Sequence, residues 1–277
     1  MLDMQALDRV QPGPDVDTQL TRQPNHRSSP LWRRAAGEGG LDPRIMQYID
    51  AAGLIGLFKV PDMEVGHALI TALVERWRPE THTFHLPYGE MGITLQDIEV
   101  MLGILVDGLP VIGRTDYEWS VLCEKLLGHK PLPAIPNSNM STFARARIKY
   151  NWLDAQFAAP LATDAGDEVV QQHAHYHLLV QMGALLFMDK SMDRVSLVPL
   201  QLLNPISNVR RYSWGNAALA WLYRQHCGAS KKGAMQIGGA LLLVQLWAYS
   251  RFPQLCLVLR PPLPPVHLGP LAIRYVH

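Results

Sequence analysis

The sequence predicts a mainly α fold, namely a single helical globular domain with one or two short β-hairpins. Apolar residues recur at helical spacing in most segments, and residues that cap or stop helices stand at the ends of those segments. Strands and helices do not alternate along the chain, which disfavours a doubly wound parallel sheet. We expect the domain at residues 41–253, between a disordered leader at 1–40 and a proline-rich tail at 254–277.

Most of the predicted helices are bounded by a capping residue, a glycine or a proline, and the candidate caps of the fourth and seventh helices are Asp116 and Ser213. Asp42 and Pro43 suit the cap and the first turn of the first helix, and Gly53 suits its end. Thr94 and Asp97 resemble a capping box, with aspartate in place of the usual glutamate. In chain order, the helices are expected at residues 42–52, 62–77, 94–102, 116–127, 145–157, 168–188, 213–227 and 236–251.

A short hairpin is predicted between the second and third helices. Residues 81–86 alternate between two faces, residues 87–92 provide a turn, and Ile93 begins the return strand. Residues 105–116 are interpreted as a loop or a second small strand pair.

Charge balance and cysteine count disfavour several classes of protein. The 277 residues include 25 Lys and Arg against 24 Asp and Glu, which argues against a strong overall attraction to DNA or anionic lipid. Hydrophobic residues make up 48%, too many for a disordered chain. Three cysteines cannot form a disulfide framework and indicate a reducing compartment. The N-terminus lacks an apolar stretch and carries several aspartates, so neither a signal peptide nor a transit peptide is predicted.

One apolar stretch, residues 233–250, has 18 residues without a charge and reaches the lower limit for a membrane span. Gln236 and Gln245 dilute it, and two adjacent glycines lie inside it. We therefore interpret the stretch as a buried core helix and expect no membrane partner.

Three histidines at positions 173, 175 and 177 are the most suggestive metal ligands. On a helix, His173 and His177 would share a face and could share a metal, whereas His175 would point away. The preferred interpretation is a half-exposed helix face with one buried histidine. Residues 228–233 have the spacing of a phosphate-binding loop but lack the lysine and the hydroxyl residue that must follow. No catalytic residue, cofactor or metal is therefore assigned.

Acid–base catalysis and nucleic-acid binding each have a candidate segment. Carboxylates are dense between residues 62 and 107, and we interpret them as helix caps and surface residues: Glu64, Glu75, Glu80, Glu90, Asp97, Glu99 and Asp107. Basic residues cluster beside aromatic ones near positions 145–152 and 210–214. Those aromatic residues fit the core stripes better than an exposed stacking surface.

Several long segments closely resemble the plant mobile domain family. HALITALVERWRPETHTFHLPYGEMGITLQDIEVMLGILVDGLPVIGRT covers residues 67–115, RYSWGNAALAWLYRQHC covers 211–227, and QIGGALLLVQLWAYSRFP covers 236–253. Residues 167–191 fit the long helix between the first two runs, and the resemblance extends over roughly residues 41–265. A run such as ERWRPETHTFHLP is far more specific than a short motif.

The resemblance implies a transposon-related protein. The family occurs in plant transposable elements of Mutator and Gypsy type and in host proteins of the MAINTENANCE OF MERISTEMS type. Those host proteins are nuclear and are linked to meristem maintenance, transposon silencing and genome stability; some act with a phosphatase-like partner that carries the same domain. Members are also labelled aminotransferase-like or phosphatase homologues, but this sequence lacks the metallophosphatase signatures and the pattern of a pyridoxal-phosphate enzyme. Members usually continue past the proline-rich stretch, so we expect a truncated end of the domain.

We therefore expect a non-enzymatic interaction module that binds a protein partner and contacts nucleic acid only indirectly. The alternatives are a transposon-encoded nuclease-type enzyme with a carboxylate–metal site and a direct DNA-binding protein. The candidate partner contact is the corner where a helix meets the hairpin, comprising Arg76, Trp77, Arg78, Glu80 and His82. This contact requires Trp77 to be partly exposed, whereas the other interpretation places Trp77 in the core.

Overall fold

The computed structural model describes residues 40–60, 63–131, 143–144, 146–190, 193–255 and 270–271. Within these ranges the chain is mainly helical, with two small antiparallel sheets, so the predicted fold class is confirmed. The expected leader and most of the proline-rich tail lie outside the described residues.

Helices form about half of the described chain. They are α1 (Pro43–Ala51), α2 (Ile55–Lys59), α3 (His67–Glu75), α4 (Leu95–Leu102), α5 (Trp119–Leu127), α6 (Tyr150–Gln156), α7 (Asp167–Leu185), α8 (Ile206–Val209), α9 (Trp214–Ala229) and α10 (Leu241–Arg251). The strands are β1 (Trp77–Arg78), β2 (Thr83–Leu86), β3 (Gly89–Met91), β4 (Phe143–Ala144), β5 (Arg147–Lys149) and β6 (Arg194–Ser196). Short 3-10 helices cover Pro199–Leu202 and Pro253–Leu255.

Local capping residues set several helix ends where the sequence predicts them. The Asp42 carboxylate accepts a hydrogen bond from the Arg44 amide at 2.8 Å at the start of α1. Thr94 and Asp97 form both bonds of the capping box at the start of α4. Gly103 ends α4 with a φ of 63°, a conformation that glycine adopts most easily. These ends depend only on residues close by in the sequence, which is why the sequence predicts them.

The predicted hairpin is part of the first sheet, in the antiparallel order β1-β2-β3. Trp77 lies opposite Phe84, and His85 lies opposite Glu90. Two details of the prediction are wrong. The return strand is β3 and ends before Ile93, because the turn has only two residues. Trp77 belongs to β1 and not to α3, because its backbone joins the sheet.

The second sheet replaces part of a predicted helix. β5 pairs antiparallel with β4 and with β6, so Arg147 lies opposite Ser196. The helix expected from residue 145 therefore begins only at Tyr150. β6 lies far along the chain, and its ladder of backbone hydrogen bonds overrides the local helical pattern.

Two predicted caps make other contacts. The Asp116 carboxylate binds the Arg114 guanidinium at 2.9 and 3.0 Å, and α5 begins without a side-chain cap. The Ser213 hydroxyl donates to the carbonyl of Val106 in a distant loop, so α9 also lacks a side-chain cap. Both predictions are wrong because partners outside the helix take up the capping side chain.

The core lies around α7 and α10. α7 packs against α1, α2 and α5, whereas α10 packs against α3, α4 and α7. Residues 241–248 are all buried, so the stretch 233–250 contains the predicted core helix, although the helix begins only at Leu241. Before it, a side chain on Gly238 would place its Cβ 2.5 Å from the Met188 carbonyl oxygen, which explains the glycine. Over the described ranges, no helix combines the length and the apolar character needed to cross a membrane.

Candidate functional site

The predicted contact lies where α3 ends and the first sheet begins. Arg76 closes α3, and its guanidinium donates to a carbonyl of the last turn at 3.0 Å. Trp77 and Arg78 form β1, and Glu80 and His82 lie in the connection to β2. The residues are neighbours in sequence, so the structure decides only which of them face solvent.

Trp77 is a core residue. Only 1% of it is exposed, and its ring lies 4.9 Å from His226, 5.0 Å from Phe84 and 5.3 Å from Tyr223. Its indole N–H donates to the Cys227 sulfur at 3.4 Å. The interpretation that places Trp77 in the core is therefore correct. The contact predicted through an exposed Trp77 is not available, and only the four residues around Trp77 could meet a partner.

The other four residues form a charged rim above this buried ring. Glu80 and His82 are exposed, whereas Arg76 and Arg78 are half-buried. His82 has a φ of 55°, a left-handed conformation that costs a non-glycine residue roughly 1–2 kcal/mol. Its ring stacks on Tyr223 with 5.5 Å between centroids and 5° between planes. The stack holds His82 in this conformation; a partner contact through the rim stays a prediction.

The aromatic side chains beneath the rim, Tyr223 and His226, make further contacts. The Tyr223 hydroxyl donates to the Ile93 carbonyl at 2.6 Å. His226 is fully buried, its Nδ1 lies 3.1 Å from the Leu222 carbonyl oxygen, and its Nε2 has no hydrogen-bond partner among the described residues. Burial lowers the pKa of His226 to about 4, so this ring is neutral at physiological pH.

A polar network that sequence reasoning missed lies on β2 and β3. The Thr83 hydroxyl donates to one Glu90 oxygen at 3.1 Å, and the other Glu90 oxygen lies 3.3 Å from His85 Nε2. The hydroxyls of Thr81 and Thr83 are 2.7 Å apart. Glu90 and Thr81 approach the same ring nitrogen, so this is not a relay in which a carboxylate orients the imidazole through its other nitrogen. The alternation of residues 81, 83 and 85 is the sequence signal that could have indicated this network.

His175 of α7 links three segments of the core. It is 3% exposed, and its Nδ1 and Nε2 each lie 3.1 Å from a carbonyl oxygen, of Leu126 and Leu203 respectively. Burial lowers the pKa of His175, whereas the two carbonyls favour its protonated form. Because both ring nitrogens lie against backbone carbonyl oxygens, His175 has a structural role and links these segments.

His173 and His177 pack against aromatic rings. His173 lies edge-on to Phe157 at 5.0 Å, as does His129 at 5.3 Å, while His177 lies 4.8 Å from Tyr176. Burial lowers the pKa of His173, and the nearby His129 lowers it further. Over the described ranges, no three or more His, Cys, Asp or Glu side chains are placed to hold a metal.

The carboxylates between residues 62 and 107 have separate roles. Asp97 is 6% exposed and receives a hydrogen bond from Arg251 at 2.8 Å in addition to its capping role. Glu90 belongs to the sheet network, and Glu75 lies 3.9 Å from the Arg76 guanidinium. These carboxylates are thus used in caps and ion pairs at different places.

The basic cluster near β5 is mixed in charge. The Arg147 guanidinium lies 3.0 Å from the Asp189 carboxylate, and Arg194 lies 3.9 Å from Asp193. Arg145 lies outside the described residues. The described part of this surface therefore alternates cations and anions, whereas phosphate binding favours a contiguous basic stripe.

Sequence reasoning also missed a cleft of about 520 Å³ between α1 and the start of α7. Its lining residues come from two segments far apart in the chain: Arg44, Gln47, Tyr48, Ala51, Ala165, Asp167 and Val170. The Tyr48 hydroxyl donates to the Asp167 carboxylate at 2.5 Å, and Gln171 donates to the same carboxylate at 2.8 Å. No sequence signal links positions so far apart.

Comparisons with known proteins give the family. A model of the plant mobile domain matches residues 53–276. Three relatives from Arabidopsis thaliana illustrate the similarity. The chain is 41% identical to "Serine/threonine-protein phosphatase 7 long form homolog" over 87% of this chain and 18% of that protein. It is 36% identical to "Protein MAIN-LIKE 2" over 86% of this chain and 36% of that protein. It is also 36% identical to "Protein MAINTENANCE OF MERISTEMS" over 73% of this chain and 41% of that protein. The chain thus spans less than half the length of these relatives, and no solved structure matches it.

Proposed function

Because the chain belongs to the plant mobile domain family, we propose that it is a non-enzymatic protein-interaction module of a nuclear complex that maintains meristems and silences transposons. The names of two relatives, "Protein MAINTENANCE OF MERISTEMS" and "Protein MAIN-LIKE 2", support the meristem part of this proposal. The expected partner is a phosphatase-like protein that carries the same domain. The similarity to the phosphatase long form homolog supports that choice.

The observation that carries the proposal is the charged rim formed by Arg76, Arg78, Glu80 and His82. One of its exposed groups, His82, stacks on the half-buried ring of Tyr223, which orders the rim at this residue before a partner binds. A pre-ordered surface loses little conformational entropy on binding, which favours complex formation. Both signs of charge are present on the rim, which suits a polar contact with a specific register.

The test is affinity purification of the tagged chain from plant nuclei. The variant Glu80→Lys reverses one exposed charge of the rim, and Glu99→Lys makes the same change on the exposed face of α4. We expect a stoichiometric nuclear partner with the wild type and with Glu99→Lys, and at least a tenfold lower yield of that partner with Glu80→Lys. Equal yields of the partner with the two variants would show that the rim does not contact it. A soluble nuclear protein that purifies alone would refute the interaction module.

A further inference from the structure

The cleft between α1 and α7 combines an apolar wall with one accessible carboxylate. Ala51, Ala165 and Val170 line it together with the ring of Tyr48. Its volume of about 520 Å³ lies within the ordinary range for binding sites. Such a wall suits the methylene stem of a long side chain, and an aromatic ring also attracts cations.

The carboxylate of Asp167 is held in place and kept ionised. Tyr48 donates to one of its oxygens and Gln171 to the other. These hydrogen bonds lower the pKa of Asp167, with the bond from Tyr48 as the larger cause. Each carboxylate oxygen can accept more than one hydrogen bond, so Asp167 retains acceptor capacity towards the cleft.

The acidic balance of the two segments that form the cleft favours a cation. The two segments that form it, residues 41–51 and 161–171, carry five Asp and Glu residues against a single Arg. That Arg44 already donates to Asp42 and to the carbonyls of residues 162 and 163. Two of the acidic residues lie in the first turn of α7 and oppose the partial positive charge of the helix N-terminus.

We propose that this cleft binds a lysine or arginine side chain from a basic segment of a partner protein. The stem lies on the apolar wall and on Tyr48, and the cationic head donates to Asp167. The cleft is distinct from the charged rim, so the proposal goes beyond the function proposed above and does not depend on it.

The test uses the full chain and a fluorescein-labelled peptide of alternating glycine and lysine, with glutamine in place of lysine as the neutral control peptide. Asp167→Asn removes the charge but keeps an oxygen that accepts from Tyr48. Asp107→Asn makes the same change in an exposed loop outside the cleft. Ala51→Trp fills the cleft from an exposed position at the end of α1 without changing charge.

Fluorescence anisotropy should show that the lysine peptide binds the wild type and Asp107→Asn equally. We expect binding to weaken at least tenfold in both Asp167→Asn and Ala51→Trp, and the glutamine peptide to bind at least tenfold more weakly than the lysine peptide. An unchanged affinity in Ala51→Trp would show that the peptide is held by surface charge alone and would overturn the proposal. Equal affinities for the two peptides, or no binding to the wild type, would also overturn it. Glu80→Lys should leave this binding unchanged, which separates the cleft from the rim.

Discussion

Replacing Gly56 by alanine should destabilise the protein, although the residue lies in a helix. Gly56 is the second residue of α2 and lies against the end of α4. A Cβ at this position would lie 2.2 Å from the Leu102 carbonyl oxygen and 2.4 Å from that of Gly103. Both atoms belong to the backbone, so the contact cannot be relieved by rotating a side chain; one of the two helices must move.

The expected size follows from two opposing effects. Alanine is favoured over glycine inside a helix by about 1 kcal/mol. Forcing an extra carbon into a packed core costs typically about 1–3 kcal/mol, and a contact as short as 2.2 Å to backbone belongs at the upper end of that range. The net loss should be about 2 kcal/mol, which corresponds to a melting temperature about 4–8 °C lower in a domain of this size.

The matched control is Gly228→Ala. Gly228 lies inside α9, and a Cβ there would have no neighbour within 4 Å. This variant should gain up to about 1 kcal/mol from helix propensity alone. Urea and thermal unfolding followed by circular dichroism would measure both. If Gly56→Ala unfolds at the same or a higher temperature than the wild type, the close approach of α2 and α4 is not as described.

Buried ionisable groups give the remaining tests. Because burial lowers the pKa of His226 to about 4, against about 6.5 in an unfolded chain, the unfolded state binds more protons below pH 6.5. The wild type should lose up to about 3 kcal/mol of stability between pH 6.5 and 4. Urea unfolding at several pH values should show a smaller loss in His226→Phe. If the free energy of unfolding falls equally steeply with pH in both proteins, His226 is not the group responsible. Arg251→Met removes a partner from the buried Asp97 and should lower the free energy of unfolding by about 1–2 kcal/mol. Lys130→Met breaks an ion pair in which both side chains are exposed, and it should lower the free energy of unfolding by less than about 0.5 kcal/mol. Burial raises the pKa of the Cys123 thiol to about 12, so native-state alkylation read by peptide mass spectrometry should leave Cys123 unmodified until denaturant is added; rapid labelling would show that the site opens.

The sequence predicts those features that depend on neighbouring residues. Asp42 and the pair Thr94–Asp97 cap the helices that follow them, because the bonds join residues no more than three positions apart. The same reasoning fails for Asp116 and Ser213. Asp116 instead pairs with the neighbouring Arg114, and Ser213 donates to the distant Val106 carbonyl, so a residue of capping type does not by itself show which partner its side chain takes.

In the candidate sites too, some features depend on neighbouring residues and others on distant segments. The sequence groups the members of the charged rim because they are near neighbours in the chain, and it allows both an exposed and a buried Trp77. The rings of Tyr223 and His226 on α9 decide between them, since they enclose the indole from a helix far along the chain. The role of His175 is likewise set by carbonyls of Leu126 and Leu203, which lie on other segments.

By itself, the sequence determines the helical class, several helix ends and the family, because each rests on local periodicity, on capping chemistry or on long runs of residues. Only the tertiary structure decides that residues 147–149 form a strand, and only it reveals the cleft in which Tyr48 contacts Asp167. Those features depend on which distant segments the folded chain brings together. Burial of the whole core determines which distant segments meet, so no single segment of the sequence predicts these contacts.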